Sequence, residues 1–323
     1  MSEPIYRQQR FLLMTLDPVH VGTGGYRLGR VDLSIVREPG TRLPKIPGTS
    51  LSGAIRQFAA MRYESRRCAG MGEGEKSHCR DGKCPVCYTF GYIRGSEGGQ
   101  SGTVSIGDAR LLLFPVYSMA GPVWVTSPSA LRDFAIEVKV GDDAVKVASG
   151  LANHPHLNLG WLMLKKEEGG FDLPDAVPAE IKARAVLASD KVFSQVVNSN
   201  LEVRTSVSIN PETGAASDKA LFTYEALPRA ALLWLDVIQD DFQPGGRVFP
   251  ITDKKCKVEK TTDETGADKK RYTHNAGEPL GETWSMPLNV VRAGLRLAEH
   301  LGIGGMGTRG FGRVRLTGDW EVR

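Results

Sequence analysis

Residues 102–128 read GTVSIGDARLLLFPVYSMAGPVWVTSP, and this stretch decides the fold class. Two apolar runs are separated by a turn at Ala120 and Gly121, which predicts a pair of strands joined by a tight connection. The earlier segment 50–67, SLSGAIRQFAAMRYESRR, instead places its apolar residues at helical spacing. A helix followed by paired strands is typical of a sheet that packs against helices.

The remaining segments extend this pattern along the chain. Strand patterns recur at 10–22, 31–36, 201–227, 231–238 and 313–322, and helical patterns at 131–138 and 289–302. Strands and helices do not alternate regularly, so a parallel βα architecture is not indicated. The sequence therefore predicts an α+β fold, with helices on one face of an antiparallel sheet.

The composition limits the class of protein. The 323 residues include 41 Lys and Arg against 37 Asp and Glu, a net charge of +4 that permits an anionic partner without requiring one. No long uninterrupted apolar stretch is present, so we expect no membrane span. The apolar run at 11–16 is too short for a signal sequence, and we expect a cytoplasmic protein. Glycine is in excess, with 37 residues where an average chain of this length has about 23.

Four of the five cysteines lie close together in the sequence: Cys68, Cys79, Cys84 and Cys87. In a reducing compartment such a cluster indicates a metal site and not a disulfide framework. A Cys-x-x-Cys pair can reach one ion, and Zn²⁺ accepts four cysteines, or three cysteines and a histidine, at structural sites. The sequence leaves open whether Cys79 or its neighbour His78 completes the set. We expect the zinc to order residues 68–95 without catalytic work, because no position remains for water.

A second candidate is the glycine-rich segment 302–312, GIGGMGTRGFG. Gly302, Gly304 and Gly307 satisfy the G-x-G-x-x-G dinucleotide pattern. However, the segment follows a predicted helix and opens a predicted strand, which is the reverse of the context that pattern requires. A loop so rich in glycine, with Arg309 within it, instead offers backbone N–H groups and close approach to an RNA phosphate backbone. The alternative is a plain turn between helix and strand.

A third candidate surrounds another glycine-rich loop, GTGGYRLG at 22–29. Asp17, His20 and Asp32 flank this loop. A carboxylate beside a loop that holds phosphate can bind a divalent cation or assist proton transfer. By composition alone, a single Asp is more often a capping or solvated residue, and His20 is more often packed than catalytic.

Taken together, five segments resemble the backbone RAMP subunits of type III CRISPR effector complexes, which are Cas-seven-type proteins. In order they are HVGTGGYRLGRVDLSIVRE (20–38), LPKIPGTSLSGAIR (43–56), residues 102–128 quoted above, INPETGAASDKALFTYE (209–225) and GIGGMGTRGFGRV (302–314). The SIGDARLLLFPV portion favours the type III-B (Cmr-type) subunit over its Csm-type relative. By contrast, CPVCYTFG (84–91) is similar to what Csm-type chains often carry. The resemblance spans nearly the whole chain.

For the fold, the resemblance implies a ferredoxin-like (RRM-like) palm with inserted finger and thumb elements, in agreement with the α+β pattern. A single domain over residues 1–323 then carries the zinc-binding insertion at 68–95. A hairpin at 201–227 is our candidate for the thumb. The charged segment 252–283 is poor in apolar residues, and we expect a mobile surface loop there.

For activity, the resemblance implies metal-dependent cleavage of target RNA at regular intervals, one cut per subunit, through the Asp of the loop RLGRVDLSI. That residue is Asp32. His20 occupies the position of a loop histidine and is the second catalytic candidate. Mg²⁺ or another divalent cation is the expected catalytic cofactor. Whether Asp32 holds that cation or deprotonates the RNA 2′-OH stays open at this point.

Contacts to guide RNA follow from the same resemblance and from the glycine loops. They are expected at Gly22, Gly24, Gly25, Ser50, Ser52, Arg56, Gly304, Gly305, Gly307 and Arg309. This chain reads SLSG where relatives usually read SLKG, so Ser52 replaces a lysine, and Arg56 is the expected substitute for its charge. Phosphate contacts of this kind hold RNA of any sequence, and base pairing supplies the specificity.

The implied partners are a crRNA guide, target RNA, further copies of this chain in a filament and other Cmr-type subunits. Two other hypotheses stand beside the leading one. In the first, the chain is a non-catalytic filament subunit that binds crRNA, and Asp32 is a bystander. In the second, it is a metal-independent endoribonuclease that processes crRNA through a histidine.

Overall fold

The computed structural model describes residues 6–24, 31–70, 78–79, 84–93, 99–240, 248–250, 257–262, 268–273 and 282–322. Within these ranges the strands are β1 (Tyr6–Thr15), β2 (Tyr92–Ile93), β3 (Gly99–Gln100), β4 (Val104–Ile106), β5 (Arg110–Val116), β6 (Val123–Thr126), β7 (Ala144–Val147), β8 (His156–Leu159), β9 (Leu162–Lys166), β10 (Ala185–Ala188), β11 (Glu202–Ile209), β12 (Ala216–Ala226), β13 (Leu232–Asp240), β14 (Lys257–Thr262), β15 (Asp268–Thr273) and β16 (Val314–Glu321). The helices are α1 (Gly48–Arg62), α2 (Pro85–Phe90), α3 (Pro128–Arg132), α4 (Ala179–Lys182), α5 (Asp190–Ser199) and α6 (Pro287–Leu301). Short 3₁₀ turns occur at Arg66–Ala69, Ser149–Leu151 and Gly307–Arg309.

One ten-stranded sheet organises the described part of the chain. Its strand order is β16-β1-β13-β5-β6-β10-β7-β9-β8, and β4 pairs with the second half of β13. Neighbours from β16 to β6 are antiparallel, but β10 runs parallel to β6 and β7 runs parallel to β9. The α+β class is confirmed. The expectation of an antiparallel sheet is wrong for two strand pairs, β6 with β10 and β7 with β9. Parallel neighbours require a connection that crosses from one end of the sheet to the other, and the segments between the two strands of each pair provide it.

Helices cover both faces of the sheet, not one face as the pattern predicts. Helices α1 and α6 pack on the face that buries Phe11 and Leu13 of β1, whereas α3 and α4 pack on the face that buries Leu12. Successive residues of a strand point to opposite faces, so β1 supplies both cores. All three side chains are 0% exposed, which places the middle of β1 in the interior of the structure.

Asp108, from the stretch 102–128, caps the start of α1. Pro47 at the N-cap provides no side-chain cap, but Oδ1 of Asp108 accepts a hydrogen bond from Gly48 N at 2.7 Å. Oδ2 of the same carboxylate pairs with Lys45 Nζ at 2.5 Å. Helix α1 therefore begins at Gly48 and ends at Arg62, earlier at both ends than the expected 50–67.

Helices α1 and α6 have 15 residues each and pack against one another. A Cβ on Gly294 of α6 would lie 2.5 Å from the carbonyl oxygen of Ile55, so the close approach requires glycine there. Within the part of the chain that the structure describes, no helix has the length and hydropathy to cross a membrane.

Two local expectations are corrected. The predicted helix at 131–138 is instead α3, Pro128–Arg132, because Ala135 adopts a φ of 57° that helical geometry does not allow. The charged segment 252–283 is described at 257–262, 268–273 and 282–283, and its strands β14 and β15 pair antiparallel. A loop is therefore wrong for those two strands, and the mobility of the segment stays a prediction.

The hairpin expected at 201–227 is present. Strand β11 pairs antiparallel with β12 from Glu202 opposite Ala226 to Ile209 opposite Ala216, with one irregularity between Val207 and Ile209. These two strands form a sheet of their own beside the central sheet. The hairpin lies between β10 and β13 in the chain, so both of its ends return to the core.

Replacing Asp108 by Asn is expected to destabilise the fold at neutral pH. The variant loses the charge paired with Lys45 and weakens the cap on α1, and loss of a helix cap typically costs about 1 kcal/mol. Burial raises the pKa of Asp108, but hydrogen bonds from Lys45 and from Gly48 N outweigh burial and leave the pKa below its usual value.

The sign of the pH dependence follows from that lowered pKa. The carboxylate stabilises the fold above its unfolded pKa of about 3.9, and this contribution is lost as pH falls through the lower folded value. Urea unfolding at pH 7 and at about pH 3 measures the effect. The difference between wild type and Asp108→Asn should shrink at the lower pH, and Asp172→Asn, at an exposed carboxylate, should behave like wild type at both. An equal difference at both pH values would contradict this role.

Candidate functional site

The four clustered cysteines meet where α1 ends and α2 begins. Cys68 lies in the 3₁₀ turn after α1, and Cys84 and Cys87 lie at the N-cap and in the first turn of α2. The sulfur atoms are 3.5 Å apart between Cys68 and Cys84 and 3.8 Å apart between Cys79 and Cys87, and all four lie within 4.8 Å of one another. Zn–S bonds of about 2.3 Å place the sulfurs of a tetrahedral site about 3.8 Å apart, so the set fits one zinc ion.

His78 is not part of this set. Its Nε2 lies 3.0 Å from the carbonyl oxygen of Ile93, and its ring packs against Tyr92 with centroids 4.5 Å apart. Among the described residues, no other group of three or more His, Cys, Asp or Glu side chains is close enough to share a metal ion. The structure therefore places Cys79, and not His78, with the other three cysteines.

The surroundings of the cysteine cluster are apolar. Cys68, Cys84 and Cys87 are at most 1% exposed, and Tyr63 stacks on Trp284 in the same core cluster, with ring centroids 5.7 Å apart. Hydrogen bonding to the Cys68 sulfur, followed by the other cysteines and burial, raises the pKa of Cys84 above its usual value. Thiolates packed this closely in an apolar setting repel one another unless a cation offsets their charge. The cluster therefore suits a divalent metal ion better than four free thiols.

The predicted RNA contacts on α1 are not all at the surface. Ser50 and Ser52 are half-buried in the first turns of the helix. Nε of Arg56 donates to the carbonyl oxygen of Cys68 at 2.8 Å. Arg56 therefore holds the chain that leads from α1 into the cysteine cluster.

His20 is buried beneath two glycine loops. It is 6% exposed, and its Nδ1 lies 2.6 Å from the carbonyl oxygen of Glu225. A Cβ on Gly22 would lie 3.1 Å from Nε2 of the ring, and one on Gly304 would lie 2.4 Å from the His20 carbonyl oxygen. Gly305 N donates to that same oxygen at 2.9 Å. The histidine thus joins both loops, and the absence of side chains on them permits the approach.

Asp32, in contrast, is exposed and is held by strand β12. Its Oδ2 accepts hydrogen bonds from Thr223 N at 2.7 Å and from Thr223 Oγ1 at 2.9 Å, and its own N–H donates to Thr223 Oγ1 at 3.1 Å. The backbone bond from Thr223, followed by the hydroxyl bond, lowers the pKa of Asp32, which is therefore ionised at neutral pH. Both bonds from Thr223 end on Oδ2 of the carboxylate.

Sequence reasoning missed the residues that connect these features. Arg37 and Glu225 form a partly buried ion pair of 2.9 Å, and Arg37 also donates to Asn198 of α5 at 3.1 Å. Glu225 is the residue whose carbonyl meets His20, and Thr223 lies two positions before it. No signal in the sequence marks Thr223 or Glu225, because they look like ordinary strand residues and their partners are 191 and 188 positions away.

The glycine loop 302–312 packs against the face of the hairpin formed by β11 and β12 that carries Phe222 and Tyr224. The guanidinium of Arg204 lies 4.8 Å above the ring of Phe311, and that of Arg309 lies 5.8 Å above Phe222. Both arginines are exposed. Interleaved arginines and aromatic rings suit phosphate and base contacts of a nucleic acid.

The structure brings three of the six predicted glycine contacts to one place. Gly22, Gly304 and Gly305 meet at His20, whereas no described residue lies within 4 Å of a Cβ added at Gly24 or Gly307. Gly25 lies outside the described residues. The two loops therefore converge at His20. Their glycine content alone did not predict this.

Comparison with known proteins places the chain in a family. A family model described as the RAMP superfamily matches residues 12–315. The chain is 28% identical over 248 residues to the CRISPR system Cmr endoribonuclease Cmr4 of Pyrococcus furiosus, covering 69% of this chain and 78% of that protein.

Solved structures share the fold. A type III-B Cmr-beta complex bound to cognate target RNA contains a chain that superposes with a TM-score of 0.59 at 15% identity, over 74% of this chain and 87% of that one. Oligomeric Cmr4 from Pyrococcus furiosus superposes with a TM-score of 0.57 at 18% identity, over 99% of this chain and 100% of that one.

Replacing Cys84 by Ser is expected to remove tightly bound metal, because the set then lacks one of its four ligands. Elemental analysis of the purified wild type should give about one zinc per chain, and the variant far less, with a lower melting temperature. Cys256→Ser removes the cysteine that is distant from the other four in sequence and is the matched control, which should keep its zinc. A wild-type protein that purifies without metal and does not take up zinc would contradict the site.

Proposed function

The chain belongs to the RAMP superfamily, and we propose that it is a guide-RNA-binding backbone subunit of a type III-B CRISPR effector complex that cleaves target RNA complementary to the guide. The observation that carries this proposal is the exposed, ionised Asp32 in the same segment as a glycine loop, fixed by a hairpin that packs on a second glycine loop. The relative at 28% identity is a Cmr endoribonuclease, which supports the same activity class.

We assign the ferredoxin-like palm to β1, α1, β5, β13, α6 and β16. Their sheet order, β16-β1-β13-β5, is antiparallel throughout and matches a βαββαβ unit with its four strands in the order 4-1-3-2. The cysteine segment 68–95 lies between α1 and β5, and the hairpin at 201–227 lies between β5 and β13. We interpret these as insertions into the palm, with the hairpin as the thumb.

The chemistry follows from what RNA offers. A 2′-OH stands beside each phosphodiester bond, so cleavage needs that hydroxyl aligned with the phosphorus and the leaving oxygen, and charge stabilised at the phosphate. Asp32, with Oδ2 held by Thr223, can accept the 2′-OH hydrogen bond through Oδ1 or share a cation with the phosphate. The glycine loops and Arg309 hold neighbouring phosphates. Because His20 is buried, we assign it to the positioning of the loops and not to proton transfer.

A divalent cation at Asp32 would neutralise charge on the scissile phosphate. Among the described residues, Asp32 belongs to no cluster of three or more acidic, cysteine or histidine ligands. Mg²⁺ commonly takes one or two carboxylates and completes its shell with waters and substrate phosphates. The site therefore fits a cation that RNA and protein hold jointly.

The cysteine cluster fits Zn²⁺ in a structural role. Four sulfur ligands complete a tetrahedral shell and leave no position for water. Bound there, the metal would fasten the turn after α1 to α2, which also packs against α6. We therefore propose zinc as a folding element of this chain.

The proposed partners are a crRNA guide, target RNA, further copies of this chain and other Cmr-type subunits, in the cytoplasm. A non-catalytic filament subunit is the second candidate, and the observation in its favour is that Asp32 belongs to no group of three or more His, Cys, Asp or Glu side chains that could share a metal ion among the described residues. A crRNA-processing enzyme that uses His20 is disfavoured, because that ring is buried and hydrogen-bonded to Glu225.

Replacing Asp32 by Asn is expected to slow target cleavage by on the order of 10² to 10⁴-fold, because the neutral amide keeps the shape but not the charge or basicity. Guide binding and complex assembly should be unchanged. Single-turnover cleavage of a guide-matched RNA measures the rate, with native electrophoresis for assembly. Asp172→Asn is the charge-matched control. A variant that cleaves like wild type would remove Asp32 from the reaction and favour the structural alternative.

Guide affinity is expected to fall steeply with salt, because neutralised phosphates release counterions. On single-stranded RNA, log affinity falls with log salt at a slope of about −0.7 per phosphate contacted. Arg309→Ala should reduce the slope by about one contact, and Arg132→Ala, on α3 at the other face of the sheet, should leave it unchanged. Fluorescence titrations between about 50 and 200 mM salt measure both. A flat dependence in wild type would argue against backbone recognition.

A further inference from the structure

We propose that Thr223 positions the Asp32 carboxylate for cleavage, and that through it the hairpin formed by β11 and β12 governs the cleavage geometry. The inference rests on the proposed catalytic role of Asp32. It concerns a residue 191 positions away in sequence, which belongs to the hairpin and not to the loop that bears the carboxylate.

The contact between the two residues is reciprocal. Thr223 donates from its backbone and its hydroxyl to the same Oδ2 of Asp32, at 2.7 and 2.9 Å, while its Oγ1 also accepts from Asp32 N at 3.1 Å. One threonine thereby fixes both the side chain and the backbone of the aspartate. Bonds from two directions to one oxygen orient the carboxylate plane, and neither of them uses Oδ1.

The backbone around Asp32 depends on the same strand. Leu33 N donates to the carbonyl oxygen of Thr223 at 3.0 Å, and Glu225 N donates to the carbonyl oxygen of Leu33 at 3.0 Å. Residues 31–36 form isolated bridges and not a regular strand: Leu33 pairs with Tyr224 of β12, whereas Ile35 pairs with Gly22. Strand β12 is therefore the support nearest to Asp32. A displacement of the hairpin therefore moves Asp32 with it.

Removing the hydroxyl of Thr223 tests whether this residue positions Asp32 or only forms part of the strand. Any residue except proline at 223 keeps the backbone N–H bond, but the second bond to Oδ2 and the acceptor for Asp32 N require a hydroxyl. Thr223→Val has nearly the same shape and strand preference and removes only the hydroxyl. Thr223→Ser restores the hydroxyl without the methyl group, so rescue by serine identifies the hydrogen bond as the cause.

A matched control exists elsewhere in the chain. Thr41 Oγ1 donates to Oε2 of Glu38 at 3.1 Å and accepts from Leu43 N at 3.3 Å, which reproduces the exposed threonine–carboxylate arrangement in a turn outside the proposed site. Thr41→Val therefore reports the cost of losing such a bond where no chemistry occurs.

The experiment measures single-turnover cleavage across target concentrations by the guide-loaded complex, for wild type and for Thr223→Val, Thr223→Ser, Thr41→Val and Asp32→Asn. Loss of a residue that orients a functional ligand typically costs about 10 to 100-fold. Thr223→Val should lose maximal rate by this factor while the half-saturating target concentration and the thermal stability stay at wild-type values. Thr223→Ser should regain most of the rate, and Thr41→Val should match wild type.

Three outcomes would overturn the inference: an unchanged maximal rate in Thr223→Val, a change confined to the half-saturating concentration, or an equal loss in Thr223→Val and Thr223→Ser. The Asp32→Asn measurement distinguishes failure of the positioning role of Thr223 from failure of the proposed catalytic role of Asp32. If Asp32→Asn cleaves like wild type, the catalytic assignment itself is wrong. If it is inactive while Thr223→Val is normal, only the positioning role is wrong.

Discussion

The pairing of β1 with β13 is the constraint on which the candidate site depends. The register runs from Tyr6 opposite Asp240 to Met14 opposite Leu232, and bonds between Val19 and Leu227 extend the contact beyond the sheet. The segment that follows β1 therefore lies beside the segment that precedes β13. This is why His20 meets Glu225. A slip of one residue would turn every side chain of β1 to the wrong face, so burial of both faces protects the register.

The two candidate residues of the site differ in exposure: His20 is buried and Asp32 is exposed. His20 lies in the interior, where its ring and carbonyl hold the glycine loops, whereas Asp32 stands at the surface, where RNA can reach it. A buried imidazole with a hydrogen-bonded Nδ1 is suited to fixing loop geometry, while an exposed, ionised carboxylate is suited to charge and alignment. The two candidates from one segment thus have different physical roles.

The cysteine cluster is a local element with a wider effect. It lies between the end of α1 and α2, and Arg56 of α1 donates to the carbonyl of Cys68. A metal ion in this position would stabilise the segment between α1 and α2, because the ligands come from both of its ends. Arg56 was expected to contact RNA in place of the lysine that Ser52 replaces. In the structure it instead holds the backbone at Cys68.

The sequence by itself determined the α+β class, the strand pair at 201–227 and a cysteine-rich metal site, since each follows from local spacing. The family resemblance, and not local spacing, made Asp32 the leading carboxylate. Only the tertiary structure decided that helices cover both faces of the sheet, that Cys79 and not His78 joins the cluster, and that the two glycine loops converge. Thr223 and Glu225 were beyond sequence reasoning altogether. Their partners are 191 and 188 positions away, and strand register, which no local pattern encodes, is what brings them together.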